Sequence, residues 1–115
     1  MTDVDPALGH QFLDVQDPDP SLGRFDLVLC CNVLERVADF ETAVDGLASL
    51  CSDNGEACAS TPYVYPYRND PNDFWRPTEH GLRLAFEQRF RGVDVQWTGF
   101  RRFPFQIFVV ARHPK

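Results

Sequence analysis

The sequence has few of the features that reveal a partner directly. Only one of its eleven basic residues is a lysine, Lys115, and the formal net charge is −6. A nucleic-acid-binding surface normally needs a basic patch, so this charge balance argues against a nucleic-acid partner. Four arginines of the second half, Arg68, Arg76, Arg101 and Arg102, could still build a small local anion site.

Long apolar runs and metal-ligand spacings are also missing. No apolar run approaches the roughly 20 residues of a membrane span, and no signal-peptide pattern occurs, so a cytoplasmic location and no membrane contact are expected. The cysteines, Cys30, Cys31, Cys51 and Cys58, include no Cys-x-x-Cys pair, and no metal site is predicted. Each lies in an apolar stretch, which favours buried free thiols in a reducing compartment.

The composition that is present suits one globular domain. The 115 residues are 43% hydrophobic and 13% aromatic, which is sufficient for the core of a single domain over 1–115. Residues 1–9 are acidic, with Pro6 and Gly9, and are expected to form a flexible lead-in. A chain of this size buries less of its surface than a larger domain, so its stability could depend on a partner.

Hydrophobic patterns predict alternating strands and helices. The almost wholly apolar run 25–31 is typical of a strand buried on both faces of a parallel sheet. Asp39 and Thr78 suit the N-caps of the two helices, and Asn54 or Gly55 is expected to end the first helix in a left-handed turn. Strands are predicted at 10–15, 25–31, 56–60, 92–98 and 104–112, and helices at 40–51 and 78–88.

The order of these elements predicts an α/β fold. A strand, a helix and a second strand in succession indicate parallel pairing with a crossover helix. The last two strands are joined by residues 99–103 alone, a link so short that they must be antiparallel. We therefore expect parallel strands followed by a C-terminal antiparallel pair, with helices on the faces of the sheet.

A long loop at 61–76 is rich in aromatic residues. Loops of this length in compact domains are usually functional or disordered, and the aromatic content argues against disorder. Aromatic faces with a few polar groups suit sugars and other flat ligands. Alternatively, the loop packs its own aromatics onto the domain and pairs Arg76 with Asp70 or Asp73. The candidate substrate-pocket residues are Tyr63, Tyr65, Tyr67, Asp73, Trp75 and Arg76.

Three stretches of the chain together form a family pattern. They are the strand and turn at 25–35, the helix and turn at 40–56, and residues 63–83, which include Asp-Pro-Asn-Asp-Phe-Trp-Arg-Pro-Thr at 70–78. In this order they resemble the second half of the class I S-adenosylmethionine-dependent methyltransferases. The third stretch resembles a subgroup often associated with surface-saccharide biosynthesis. The resemblance covers about 10–112 and implies a partial Rossmann-like methyltransferase sheet with S-adenosylmethionine as cofactor.

The departures from the family pattern concern the cofactor. The family has a Gly-x-Gly-x-Gly turn, whose glycines let backbone amides approach the ligand, and an acidic residue for the ribose hydroxyls. Here Gly9 and Gly23 are isolated, and Arg36 follows Glu35 where the family often has histidine. We therefore expect the N-terminal cofactor-binding half to be missing and S-adenosylmethionine to bind this chain alone weakly or not at all.

The resemblance also implies candidate site residues. Asp14 corresponds to a residue that can bond the adenine amino group, and Glu35 to a position that could orient or deprotonate the acceptor. Cys31 and Asn32 end the central strand, where ligands of open parallel sheets bind. Their backbone could form the bottom of the pocket for the methionine moiety. The alternatives are a solvated strand-end carboxylate for Asp14, a plain strand terminus, and a local cap or pair for Glu35.

Two functions follow from this pattern. The first is methyl transfer to an unknown small-molecule or saccharide-type acceptor, with a partner chain supplying the missing half. The second is a non-catalytic binding or remnant module of the same fold. In either, the strand at 25–31 would leave one edge unpaired, which invites pairing with another chain. We expect a homodimer across that edge or its coverage by the N-terminal segment. The 61–76 loop is expected to line the main pocket together with Asn32 and Glu35.

Overall fold

The computed structural model describes the backbone of residues 2–3, 11–67 and 72–115, and the side chains of these ranges from residue 13 onward. Short 3-10 turns occur at Pro20–Leu22 and Leu34–Arg36. The regular elements are β1 (Thr2–Asp3), β2 (Gln11–Phe12), β3 (Phe25–Cys31), α1 (Phe40–Leu50), β4 (Cys51–Pro62), α2 (Glu79–Glu87), β5 (Phe90–Phe100) and β6 (Phe103–Pro114).

The main sheet has four strands in the order β3-β4-β6-β5. β3 and β4 are parallel, as expected of strands joined through a helix, and β6 is antiparallel to both β4 and β5. Asp39 and Thr78 cap α1 and α2 by accepting hydrogen bonds from the backbone amides of Thr42 and Gly81. The predicted α/β fold, with its C-terminal antiparallel pair, is confirmed.

The hydrophobic core lies between the two helices and one face of this sheet. Small residues at Ala57 and Ala59 of β4 let the helices approach closely, and Phe86 of α2 stacks on Phe90 with ring centroids 5.9 Å apart. Burial of such side chains is the main favourable term in folding. The fully buried larger members are Leu34, Val44, Leu47, Leu82, Phe86, Phe90, Ile107 and Val109.

The prediction that β3 is buried on both faces is wrong. Cys30 is buried, but Leu27 and Leu29 are 55% and 66% exposed. The reason is topological, since β3 is the edge strand and the described helices cover one face of the sheet. An apolar run therefore identified the strand correctly, while its open face could not be inferred from the run itself.

The junction between α1 and β4 also differs from expectation. Neither Asn54 nor Gly55 has a positive φ, and β4 begins directly at Cys51. The extra residues are absorbed by a register shift, in which Phe25 pairs with Cys51 and Leu27 with Glu56. Gly55 is required for a different reason, because a Cβ there would lie 2.9 Å from the carbonyl oxygen of Phe25.

The N-terminal part of the chain forms a separate feature. β1 and β2 pair with each other in parallel, and within the described residues neither joins the main sheet. The strand expected at 10–15 is therefore only Gln11–Phe12, and the expected lead-in contains β1. Residues 1 and 4–10 lie outside the described residues, as do Arg68 and Asp70. The predicted edge position of β3 is confirmed.

Candidate functional site

Several candidate residues meet where the parallel strands end. Asn32 follows β3 with a φ of 56°, and its amide donates to the carbonyl of Ser60 on β4 at 2.9 Å. Tyr63 follows β4, and its amide donates to the carbonyl of Phe105 on β6 at 3.0 Å. Because β6 is antiparallel to β4, the turn between β5 and β6 reaches this same edge. This is the edge at which open α/β sheets bind ligands.

Glu35 links this edge to the aromatic loop. Its backbone carbonyl accepts hydrogen bonds from the amides of Phe74 at 2.8 Å and Trp75 at 3.1 Å. The Trp75 indole Nε1 in turn donates to the carbonyl of Val37 at 2.7 Å. The sequence-predicted residues Glu35 and Trp75 are thus brought together, and two consecutive amides of the loop are held by one carbonyl.

The Glu35 side chain is buried. Neither of its predicted roles, orienting or deprotonating the acceptor and forming a local cap or pair, required this burial. The residue is 2% exposed, and its Oε1 accepts no hydrogen bond from the described residues. Burial raises the pKa of this carboxyl, since desolvation disfavours the charged form, and the opposing effect of Arg36 and Arg76 is smaller. A carboxyl with a raised pKa can hold a proton near neutrality more readily than an exposed one.

Arg76 holds the two ends of the loop together. Its guanidinium pairs with the Asp73 carboxylate through Nε at 3.2 Å and through Nη2. The same group donates to the carbonyls of Tyr63 at 3.3 Å, Tyr65 at 3.0 Å and Pro66 at 3.3 Å. The predicted pairing with Asp73 is confirmed, and Arg76 acts on the loop backbone. A direct contact of Arg76 with substrate stays a prediction.

The aromatic side chains of the loop remain largely accessible. Tyr65, Tyr67, Phe74 and Trp75 are exposed, and Tyr63 is half-buried. The alternative in which the loop packs its aromatics onto the domain holds for Tyr63, which packs against the core, and in part for Trp75, whose indole is bonded to Val37. Whether they contact a substrate stays a prediction, but their rings are available to one.

The candidate cofactor residues lie on the chain before and after β3. Asp14 Oδ1 accepts from the Gln16 amide at 2.9 Å, and the Gln16 side-chain oxygen accepts from the Asp39 amide at 3.0 Å. This turn rests on α1, where a Cβ at Gly46 would lie 1.8 Å from the Val15 carbonyl oxygen. Cys31 and Asn32 are both exposed at the end of β3.

A cleft of about 220 Å³ opens beside Tyr63. Of the 61–76 loop only Tyr63 lines it, while Asn32 and Glu35 do not, so it differs from the expected pocket. Trp97 was not predicted as a site residue, because its alternation with Val93 and Val95 indicates a core-facing strand position. Arg101 and Arg102 are among the four arginines that were predicted from the sequence as a possible anion site. The lining residues are Tyr63, Thr78, Glu79, His80, Trp97, Arg101, Arg102, Pro104 and Ile107.

Neither the cysteines nor the other potential ligands among the described residues form a metal site. All four thiols are free, and burial raises the pKa of Cys30 to about 12 and that of Cys51 to about 11. Cys31 is exposed, contrary to expectation, because it points to the open face of β3. Within the described ranges no group of three or more potential ligands could hold a metal ion, and no helix has the length and apolarity to cross a membrane.

Comparison with known proteins identifies the fold. No protein-family model and no curated protein matches the chain. Among solved structures, the citrinin polyketide synthase CMeT domain superposes with a TM-score of 0.77 at 12% identity, over 98% of this chain and 38% of that domain. The chain has the class I methyltransferase fold.

Two further structures with this fold are complexes. The N-methyltransferase NodS from Bradyrhizobium japonicum, bound to S-adenosyl-L-homocysteine, gives a TM-score of 0.70 at 17% identity, over 99% of this chain and 65% of that one. The Burkholderia thailandensis 1,6-didemethyltoxoflavin-N1-methyltransferase, with bound 1,6-didemethyltoxoflavin and S-adenosylhomocysteine, gives a TM-score of 0.70 at 20% identity, over 99% of this chain and 60% of that one. The chain therefore spans between about a third and two thirds of the length of the structures it matches.

Proposed function

We propose that this chain is the acceptor-side part of an S-adenosylmethionine-dependent methyltransferase, in which a further polypeptide supplies the glycine-rich cofactor segment. The observation that carries the proposal is the open side of the sheet at β3. That strand has one unpaired edge among the described residues, and its Leu27 and Leu29 are exposed. Unpaired edges and apolar faces are normally covered in stable proteins.

The residues present suit one side of the cofactor. Asp14, which already accepts from the Gln16 amide, would supply a carboxylate for the adenine amino group, and the turn at Asn32 would lie beside the methionine moiety. The sequence contains no Gly-x-Gly-x-Gly turn, so the remaining contacts must come from elsewhere. The bound cofactor would supply an electrophilic methyl group on a sulfonium for in-line displacement.

The contribution of this chain would then be positioning of the acceptor. Holding two reactants in the right geometry accounts for much of the acceleration of bimolecular reactions. Glu35 fixes the backbone of Phe74 and Trp75 and so supports the aromatic loop, where a small-molecule or saccharide-type acceptor would bind. A direct proton transfer by Glu35 would need the acceptor to reach a buried carboxyl. The four free thiols suit a cytoplasmic location.

The test is to supply the cofactor segment. In isothermal titration, we expect no low-micromolar binding of S-adenosylmethionine to the chain alone. Once a glycine-rich strand–helix segment from NodS is fused to it, we expect a binding free energy of about −8 kcal/mol. Within the fusion, Asp14→Asn should weaken binding, whereas Asp17→Asn, an exposed neighbour, should not. Leu29→Lys should abolish the gain, whereas Leu84→Lys on the outer face of α2 should leave it unchanged.

Two outcomes would contradict the proposal. One is tight cofactor binding by the isolated chain, because the fusion would then be unnecessary. The other is a folded fusion without cofactor affinity, which would favour a non-catalytic binding or remnant module. A homodimer across the β3 edge is distinguished by two measurements on the chain alone. Sedimentation equilibrium would give the mass of a dimer, and amide exchange would show that the amides of Leu27–Cys30 are protected.

A further inference from the structure

The cleft beside Tyr63 lies at the carboxyl edge of the sheet but apart from Glu35 and Asn32. It is bounded by the start of α2 and by the hairpin that joins β5 to β6. Its volume is about 220 Å³, and a cavity of about 150 Å³ is known to admit benzene. The space therefore suits one aromatic ring with a short substituent.

The walls of this cleft offer flat surfaces. Trp97 is 39% exposed, and the Arg101 guanidinium lies over its ring with a distance of 4.3 Å to the centroid. Arg101 also pairs with Glu79 of α2 at 3.1 Å, which fixes the guanidinium in place and largely neutralises its charge. Tyr63 contributes a second aromatic surface. Aromatic rings and guanidinium planes both favour stacking with a flat ligand.

Arg102 gives the cleft a cation without a partner. Its neighbour Arg101 is paired, but Arg102 makes no hydrogen bond or ion pair with the described residues. A guanidinium presents two parallel N–H donors that match a carboxylate. His80 and the capped first turn of α2 add further polar groups to the same rim.

The other groove of the molecule serves as a contrast. It lies at the opposite end of the sheet and contains three basic residues. Its two arginines are engaged, Arg89 with Asp45 and Arg24 with the carbonyl of Cys51 and with Asp53 at 3.9 Å, while Lys115 has no ion pair among the described residues. No aromatic side chain lines it. The combination of an unpaired arginine with aromatic walls is therefore a property of the first cleft, in a chain whose net charge of −6 repels anions generally.

We propose that the cleft formed by Tyr63, Trp97, Arg101 and Arg102 binds a small aromatic carboxylate. The ring lies against Tyr63 and the guanidinium plane of Arg101, which itself covers Trp97, and the carboxylate pairs with Arg102. The inference rests on the geometry of the cleft and stands whether or not the chain takes part in methyl transfer.

The chain has two tryptophans, and the second provides an internal control. We would titrate 4-hydroxybenzoate into the ¹⁵N-labelled chain and follow both indole N–H signals. We expect a saturable shift of the Trp97 signal, while the Trp75 signal, whose indole donates to Val37, stays in place. The neutral 4-hydroxybenzamide should bind about tenfold more weakly or worse, roughly 1.4 kcal/mol. Cyclohexanecarboxylate should also bind more weakly, because it cannot stack.

Matched variants separate the specific site from general charge. Arg102→Gln should weaken 4-hydroxybenzoate binding about tenfold or more, whereas Arg91→Gln, which removes an exposed arginine of β5 outside the cleft, should leave it unchanged. Equal binding of acid and amide, equal affinity of Arg102→Gln and the original chain, or no Trp97 shift would each overturn the proposal. Loss of cofactor binding in the fusion leaves this test untouched, since no cofactor is used.

Discussion

The two faces of the main sheet are built from the same strands but have different surroundings. On one face, Ala59 of β4 and Val109 of β6 pack under the helices and are buried. On the other, Leu29 of β3 and Phe108 of β6 remain exposed. A strand whose side chains point alternately to the two faces of a sheet can pack against a layer of helices on each face. The difference between the faces therefore shows that one such layer of an α/β sandwich is present among the described residues.

The open face is itself divided. Towards β5 it is polar, with Arg112 donating to Glu56 at 3.1 Å and to Asp94 at 2.8 Å. Towards β3 it is apolar, with Leu27 and Leu29 exposed. The part near β5 is therefore suited to water, whereas the part near β3 is suited to a covering partner. This contrast locates the surface that the proposed cofactor segment would cover.

The largest expected effect is on the packed face. Phe86→Ala removes a fully buried ring that stacks on Phe90, and we expect it to lower the free energy of unfolding by about 3–5 kcal/mol. Since a domain of this size has only about 5–15 kcal/mol of stability in total, this loss is a large fraction of it. Urea unfolding followed by circular dichroism measures the change.

The matched substitution on the open face is Leu29→Ala. Its side chain is mostly in water, so its loss should change the free energy of unfolding by less than about 0.5 kcal/mol. A cost comparable to that of Phe86→Ala would mean that Leu29 is covered in solution, as in a homodimer. The pair of variants therefore tests the difference between the faces directly.

A second comparison sets the Arg76–Asp73 pair against the Arg112 pairs of the open face. Asp73 is almost wholly buried in its pair, and Arg76 also holds three loop carbonyls. We expect Arg76→Met to lower the free energy of unfolding by about 2 kcal/mol, because it removes the guanidinium that pairs with a buried carboxylate and binds the loop carbonyls. Thermal unfolding, with the Trp75 indole signal as a local probe, measures the loss.

Arg112→Met is the control for this substitution. Arg112 pairs with two carboxylates that are half-exposed and mostly exposed, at 43% for Glu56 and 66% for Asp94, and solvent-accessible pairs contribute little. We expect its thermal midpoint to stay near that of the original chain and the Trp75 signal not to move. Equal losses for the two variants would show that the loop is not held by Arg76 in the way the contacts indicate.

The elements of the fold were predictable because their signals are local. The bounds of β3 and the caps Asp39 and Thr78 follow from an apolar run and from side chains that bond the next turn. The exposure of Leu29 depends on what lies above the sheet, which no local pattern encodes. Sequence periodicity cannot distinguish an open face from a covered one when both are apolar.

The sequence indicated which elements meet at the candidate site, but not the contacts within it or the position of the cleft. The carboxyl ends of the strands and the aromatic loop were found from topology and composition. The contacts of Arg76 with three carbonyls and of the Glu35 carbonyl with two amides carry no sequence signal, because every residue has these backbone groups. Trp97 alternates like a core residue, and its place in the cleft depends on where the β5–β6 hairpin ends.

The smallest expected effect concerns the pH dependence of stability and compares a buried carboxyl with an exposed one. The pKa of Glu35 is raised in the folded chain by burial, whereas in the unfolded chain it is about 4.3. Between these two values the folded state holds a proton that the unfolded state has released, so stability falls as pH rises through that interval. At higher pH the full penalty of the buried charge persists.

Glu35→Gln removes the titrating group and keeps the shape of the side chain. The free energy of unfolding of this variant, relative to the original chain, should therefore increase as pH rises above about 4.3 and then level off. Glu41→Gln is the control, because Glu41 is exposed in the first turn of α1 and carries no burial penalty. Its relative stability should not show the rise expected of Glu35→Gln. Urea unfolding at a series of pH values measures both trends, and parallel curves for Glu35→Gln and the original chain would show that the Glu35 carboxyl is hydrated in solution.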